Sequence, residues 1–311
     1  MGKVVEELKR RLKPIGNAGK YGRLYVPREL VGMNASYVTE HELMELEREL
    51  KRLEAIRSFS TYVLNSKNGT RMFNIISKTW NPISGCTHFC IYCWARRFAL
   101  TKLKNTPRYR DGFWPKLNEN EFKAKFNGGV VFVSDMGDMF SPEVPDEWIL
   151  KVINHIRKFP GTFFLFLTKN PARYKDFIGH FPKNAILGAT IETDDDDMYL
   201  ENKISQAPLP SLRYKAMRDI NWDLKFLSIE PILDFNLDRF LSWIKEINPF
   251  MVYVGYDNYN NRLPEPPLEK TEKLLKELEN ITLTVRKTIR PAWYEKKSLG
   301  RYLSVSKTKR E

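Results

Sequence analysis

From about residue 70 to residue 288 the chain repeatedly sets a short β-branched or aromatic apolar run ahead of a longer amphipathic stretch. Such alternation is the pattern of successive βα units, which bury their apolar surfaces by forming a parallel sheet covered with helices. The runs Phe73–Lys78, Val130–Ser134, Phe163–Thr168, Ala185–Ile191, Lys225–Ile229 and Met251–Gly255 predict six strands, and a last run lies near Ile281–Val285. Between them, Pro145 followed by Asp146 opens a predicted helix that reaches Phe159, since proline and acidic residues both suit a first turn. A second helix is predicted over Leu237–Ile247, stopped by Pro249. The fold class read from this pattern is α/β with a barrel-like parallel sheet.

The ends of the chain read differently. Residues 1–58 are expected to form a basic N-terminal extension. Within it, Leu43, Leu46, Leu50, Leu53 and Ile56 recur at three- and four-residue steps, which predicts a helix over 40–57 that lays one apolar seam on the barrel. The segment Lys13–Gly32 resembles the strand pieces of AbrB-like swapped-hairpin DNA-binding modules. Asn68-Gly69, between Thr61–Ser66 and Thr70–Ile76, predicts a β-hairpin leading into a barrel over 59–288. A basic tail, 289–311, completes the expected organisation.

The formal net charge of +13 is unevenly spread. Basic residues outnumber acidic ones eight to three in residues 1–30, nine to three in 96–125 and nine to two in 286–311. Positive charge gathered in this way suits a polyanion surface or a solvated lysine-rich face. No apolar run reaches the roughly 20 residues a membrane helix needs, and the N-terminus mixes charged with apolar residues rather than forming a signal sequence. A cytoplasmic protein with no membrane partner is expected.

The three cysteines, Cys86, Cys90 and Cys93, sit together in a CxxxCxxC spacing. Three thiolates on a cubane iron-sulfur cluster leave one iron open to an exchangeable ligand. Zinc held by the cysteines with His88, and disulfide chemistry, are the other readings of the same spacing.

With aromatic Tyr92 before the last cysteine, the motif resembles the cluster motif of the radical S-adenosylmethionine (SAM) superfamily. The resemblance implies a partial (βα)6 barrel, a 4Fe-4S cluster on Cys86, Cys90 and Cys93, SAM on the open iron, and an electron donor such as ferredoxin or flavodoxin. The runs Thr79–Cys86, Val131–Phe140, Val144–Ile149, Phe166–Arg173, Leu227–Leu233 and Val252–Gly255 resemble those of a phage and bacterial three-Cys-motif group within that superfamily. Members of that group carry a longer insertion among the cysteines, and Gly255-Tyr256-Asp257 here replaces their Gly-Gly-Glu. A looser similarity links the motif to spore-photoproduct-lyase-like proteins, whose additional hydrogen-donating cysteine has no counterpart here.

Ligands gather at the carboxy ends of parallel strands, and those ends carry Ser134, Asp135, Thr168, Lys169, Thr190, Glu192, Ser228 and Glu230. The resemblance places Tyr92 beside cluster and adenine, and Asp135 and Asp138 at the cofactor's ammonium. It leaves Ser134, Thr190, Glu192, Ser228 and Glu230 as further cofactor contacts, with Lys169 free to pair with a carboxylate. The run Asp194–Asp197 reads as a solvated loop. Aromatic residues interleave with basic ones in Arg108–Trp114 and Arg290–Lys297, a composition that can stack bases and touch phosphates or pack on the barrel. The reading is a radical SAM enzyme acting on a nucleic acid, tRNA or DNA, with a partner protein in prospect. Its alternatives are the same chemistry on a protein, lipid or small metabolite, and a non-catalytic metal-binding DNA module.

Overall fold

A computed structural model describes residues 12–18, 22–27, 40–64 and 73–295. The chain divides into two compact units, Met1–Lys51 and Arg52–Glu311. In the first, β1 (Leu12–Ala18) and β2 (Gly22–Pro27) pair antiparallel, with an irregularity between Ile15 and Ala18.

Helix α1 runs Glu40–Leu64, seven residues beyond the predicted end. Thr61–Leu64 is therefore helical and not the first arm of a hairpin, while Asn68-Gly69 lies outside the described residues. The predicted seam is only partly buried: Leu50 is exposed, Leu53 and Ile56 are half-buried, and burial is complete at Phe59 and Ser60.

The second unit is built on seven strands: β3 (Lys78–Trp80), β6 (Val130–Val133), β7 (Phe163–Thr168), β8 (Ala185–Thr190), β9 (Lys225–Ile229), β10 (Met251–Val254) and β11 (Leu283–Arg286). A separate short pair, β4 (Ile83–Ser84) and β5 (Lys116–Leu117), lies between β3 and β6 in the chain. The seven pair side by side in chain order, every contact parallel, as a partial barrel with β3 and β11 at its edges. The last apolar run thus supplies a seventh strand beyond the six expected.

The first strand begins later than predicted. Phe73, Ile75 and Ile76 turn inward to fill the sheet's face, with Ile76 N–H closing a turn on the Phe73 carbonyl at 3.0 Å, so pairing starts only at Lys78.

Alternate residues along the strands face two cores. Val131, Val133, Phe164, Phe166, Leu187 and Val252 meet the helices α3 (Asp146–Ile156), α6 (Pro210–Asp219), α7 (Leu237–Ile247) and α8 (Leu268–Ile281). Their neighbours Phe132, Leu165, Ile186, Phe226 and Tyr253 face the other way, against Phe59, Phe73, Ile75 and Ile76. The shorter helices α2 (Trp94–Thr101), α4 (Tyr174–Phe177) and α5 (Asp196–Glu201) sit in the connections. Helix α3 stops at Ile156, short of Phe159, and α7 ends where Asn248 adopts a left-handed conformation at φ 53°, just before Pro249.

Candidate functional site

The connection from β3 to β6 carries all three cysteines, and its backbone is clamped to the turn after β6. Gly85 N–H donates to the Met136 carbonyl at 2.9 Å, and Asp138 N–H returns to the Gly85 carbonyl at 3.2 Å. This approach requires glycine on both sides. A Cβ on Gly137 would lie 2.6 Å from the Gly85 carbonyl oxygen, and Gly85, at φ +87°, faces the Trp114 carbonyl.

The opposite side of the loop is held by the segment before α6. Ile91 N–H donates to the Ile204 carbonyl at 3.0 Å, and the His88 carbonyl accepts from Gln206 N–H at 2.7 Å and Ser205 Oγ at 2.8 Å. The sulfurs are bonded as well: Cys86 Sγ accepts from His88 N–H at 3.4 Å, Cys93 Sγ accepts from Arg96 N–H at 3.3 Å as the cap of α2, and Cys90 Sγ meets Ser205 Oγ at 3.2 Å. Burial pushes all three thiols above their ordinary range. Among the described residues no three His, Cys, Asp or Glu side chains converge on one point suited to a single metal ion.

A cavity of about 440 Å³ opens where the carboxy ends of the strands meet this loop. Cys86, His88, Cys90, Tyr92 and Cys93 line one side. Asp135, Thr168, Lys169, Thr190 and Ser228 follow around the strand ends to Glu230, Asp257 and Lys287 on the far side, over a floor of Phe73, Phe132 and Leu167. The volume is typical of small-molecule sites.

Two buried carboxylates secure the loop. Asp138 is 6% exposed and accepts from His88 Nε2 at 3.0 Å, Phe140 N–H at 2.9 Å, Thr168 Oγ1 at 2.7 Å and Lys169 N–H at 2.9 Å. Although desolvation opposes it, the His88 ring and these donors hold the Asp138 carboxyl below its usual range. Glu192, fully buried, accepts from Lys169 Nζ at 2.6 Å, from Arg213 Nη1 at 2.5 Å and from the Tyr92 hydroxyl. Against the same desolvation, Arg213 and Lys169 hold its carboxyl at about 2. Lys169 Nζ also lies 5.1 Å from the centre of the Tyr92 ring.

The sequence-derived residues therefore separate. Tyr92, Asp135, Asp138, Thr190, Ser228 and Glu230 line the cavity together with the three cysteines, whereas Ser134 and Glu192 do not. Glu192 is enclosed by Lys169, Arg213 and Tyr92 behind the cavity wall. Ser134, at φ 59°, has a buried Oγ with no hydrogen-bond partner among the described residues. Asp138 reaches the cavity with its carboxylate already saturated, whereas Asp135 accepts from Asn81 Nδ2 at 2.6 Å and is held above the usual range by burial.

Two charged side chains at or behind the cavity wall escaped the sequence reading. Arg213 lies 21 residues beyond Glu192, on a different element, and no spacing announces the pair. Lys287, whose Nζ sits 2.6 Å from Glu230 Oε2, was detectable as the polar residue following the last strand.

The run Asp194–Asp197 is built into the fold and is not simply solvated. Asp194 is buried and accepts from Arg239 Nε at 2.5 Å, Asp195 caps α5 through Met198 N–H at 2.9 Å, and Asp196 accepts from Ser211 N–H at 3.0 Å. In the first aromatic-basic stretch, Tyr109 and Phe113 are buried against one another, and of its three aromatic rings only that of Trp114 is exposed. The second stretch is docked: Arg290 and Trp293 N–H both bond Glu265, and Trp293 Nε1 donates to the Leu263 carbonyl at 2.8 Å.

Residues 72–247, more than half of the chain, match a family described as proteins of unknown function, DUF5131. The chain belongs to this family. In this DUF5131 member the match covers the cysteine loop and the strands through β9, ending with α7. Among solved structures, the chain is similar to a spore photoproduct lyase double mutant with bound AdoMet and dinucleoside spore photoproduct, at 11% identity and a TM-score of 0.45, over 66% of this chain and 62% of that one. Streptococcus suis SuiB bound to precursor peptide SuiA is similar at 10% identity and a TM-score of 0.42, over 92% of this chain and 60% of that one. The chain thus spans about three fifths of the length of these proteins. No curated protein matches it. Among the described residues no helix is long and apolar enough to cross a membrane.

Proposed function

We propose that this protein is a radical SAM enzyme of the cytosol that acts on a nucleic acid. The observation that carries the reading is the convergence of three thiols from one eight-residue loop on a cavity beyond the carboxy ends of a parallel partial barrel. Three soft donors suit an iron-sulfur cluster with one open iron. When bound, such a cluster with SAM supplies reductive cleavage of a carbon–sulfur bond, with the electron drawn from a donor such as ferredoxin or flavodoxin.

The chain's own residues supply position and shelter. Cys86, Cys90 and Cys93 would hold the cluster. Tyr92 presents its ring to the cavity because Glu192 fixes its hydroxyl, and Asp135 offers a carboxylate suited to an ammonium. Thr190, Ser228 and Glu230 offer polar walls further round, and the floor of Phe73, Phe132 and Leu167 limits water. Saturated Asp138 and enclosed Glu192 act as positioning residues, and Ser134 carries the chain into the turn that holds Asp135.

The test is anaerobic reconstitution with iron and sulfide, then incubation with SAM and dithionite. 5′-Deoxyadenosine that forms with the wild type and not with Cys90→Ala supports the reading. A colourless zinc protein that forms none would replace it with a metal-binding DNA module.

A further inference from the structure

The face above the cysteine loop carries an unusual combination of charge and exposed rings. Residues 96–116 hold seven basic side chains and a single acidic one, Asp111. Asp111 lies 3.4 Å from Lys116 Nζ and 3.7 Å from Arg110 Nε, so it already has cationic neighbours. Trp114 is 60% exposed and Phe98 44% exposed.

Beneath them, Phe89 lies between Cys86 and Cys90 in a left-handed conformation, φ 50°. An aromatic residue adopts this backbone at a cost, and such outliers collect at functional loops. Here it sets the Phe89 ring 4.3 Å from the Arg96 guanidinium and 6.0 Å from the Trp114 ring. Arg96, Phe89 and Trp114 therefore form one tier on the loop that bears the thiols. The tier continues into the cavity through Trp94, Ala95 and Phe113, which line it. Across the mouth, Tyr259 is half exposed and Arg97 bridges to it, 5.1 Å from its ring, with Nη2 2.8 Å from Asn261 Oδ1.

We propose that this face binds single-stranded nucleic acid, with a base stacked on Trp114, phosphates on the basic side chains of residues 96–116, and one unstacked nucleotide directed into the cavity. The direction of the strand rests on the reading of that cavity as the reaction site. Charge complementarity selects a polyanion. The exposed indole selects one with accessible planar faces, which a strand offers and a duplex hides within its stack. An acidic protein would meet the charge but leave the indole and the adjoining cavity without an occupant.

The experiment is fluorescence anisotropy of the full chain with a labelled 20-nucleotide DNA strand, the same sequence as RNA, and the matching duplex, across a salt series. One single strand should bind about tenfold more tightly than the duplex. Trp114→Ala should weaken it about tenfold, within the range of one lost base stack, and Trp114→Phe should restore most of the loss. Replacing Lys102 and Lys104 by alanine should lower the salt slope by about 0.7 per lost phosphate contact. An unchanged melting temperature for Trp114→Ala separates lost binding from lost folding.

Equal affinity for strand and duplex, indifference to Trp114→Ala, or full competition by polyglutamate at matched charge would overturn the proposal. Strand binding and 5′-deoxyadenosine formation are separate readouts, so the two readings can fail separately. Binding without 5′-deoxyadenosine formation sinks the enzyme reading alone, and 5′-deoxyadenosine formation without binding sinks this one alone.

Discussion

The Tyr92 hydroxyl donates to the Glu192 carboxylate, tying the cysteine loop to the residue two positions past β8. The same carboxylate holds Lys169, whose backbone N–H donates to Asp138, and Asp138 holds His88. The chain of contacts leaves the loop at Tyr92 and re-enters it at His88, so the loop carrying the thiols is braced from both ends by residues at the ends of three strands. Removing the central charge leaves Arg213 and Lys169 without their shared partner in a dry site. Glu192→Gln is expected to destabilise the fold by about 3 kcal/mol, read as a lower urea midpoint at neutral pH.

That brace also has a pH signature. The Glu192 carboxyl is held at about 2, below its ordinary value of 4.5. A depressed carboxyl contributes stability that is complete above the ordinary value and is lost as pH falls through the folded one. Wild-type stability should therefore decline between about pH 4.5 and pH 2, and the Glu192→Gln curve should be flatter over that window when both are followed by urea midpoints. Parallel curves would show that Glu192 is not the group responsible.

Asp135 and Asp138 differ by only three positions yet predict opposite phenotypes. Asp138 takes four protein donors, so Asp138→Asn breaks a buried network and is expected to cost about 2–3 kcal/mol. Asp135 lines the cavity, half-buried. Asp135→Asn should stay within about 1 kcal/mol of the wild type in stability while weakening SAM binding roughly tenfold, the size of one lost charge-assisted hydrogen bond. Calorimetric titration of SAM into the reconstituted protein would check this, and equal affinities would remove Asp135 from the site.

The closeness of Gly85 and Gly137 makes a fourth test. In Gly137→Ala the new methyl would meet the Gly85 carbonyl oxygen at 2.6 Å, and a backbone contact of that kind yields only by moving the loop. A loss of about 1–3 kcal/mol is expected, with iron incorporation per chain falling at the same time. Full iron loading with unchanged stability would mean that the clamp does not position the thiols.

Legibility in the sequence followed burial and punctuation. The predicted bounds of β7, β9 and α7 coincide with the observed ones, because each is an apolar run or seam closed by an unambiguous stop such as Asn248-Pro249. The cysteine cluster was legible for the same reason, as a local motif. Thr61 and Val63 misled because their β-branched side chains favour a strand locally, whereas the helix that buries Phe59 and Ser60 continues to Leu64. The partners of Glu192 come from Lys169 and Arg213, on either side of it in the chain, and of two nearby aspartates only three-dimensional contacts tell which is saturated.

The end of α1 offers the last test, because it decides where the barrel domain begins. By compactness the chain divides between Lys51 and Arg52, so the end of the helix falls within the second unit. Phe59 is 2% exposed, with its ring edge-on to Phe163 at 5.2 Å and Phe250 at 4.9 Å, and it belongs to the same core as Phe73. That core closes the face of the sheet opposite the helices and includes Phe73 and Phe132, which form the cavity floor. Truncating a buried phenylalanine costs about 3–5 kcal/mol, so Phe59→Ala should lower the melting temperature by several degrees. Since Phe59 lies behind the floor and not among the residues lining the cavity, the variant should retain its thiols' capacity for iron at temperatures below the new transition. Unchanged stability would show instead that the helix end is a detachable part of the N-terminal extension.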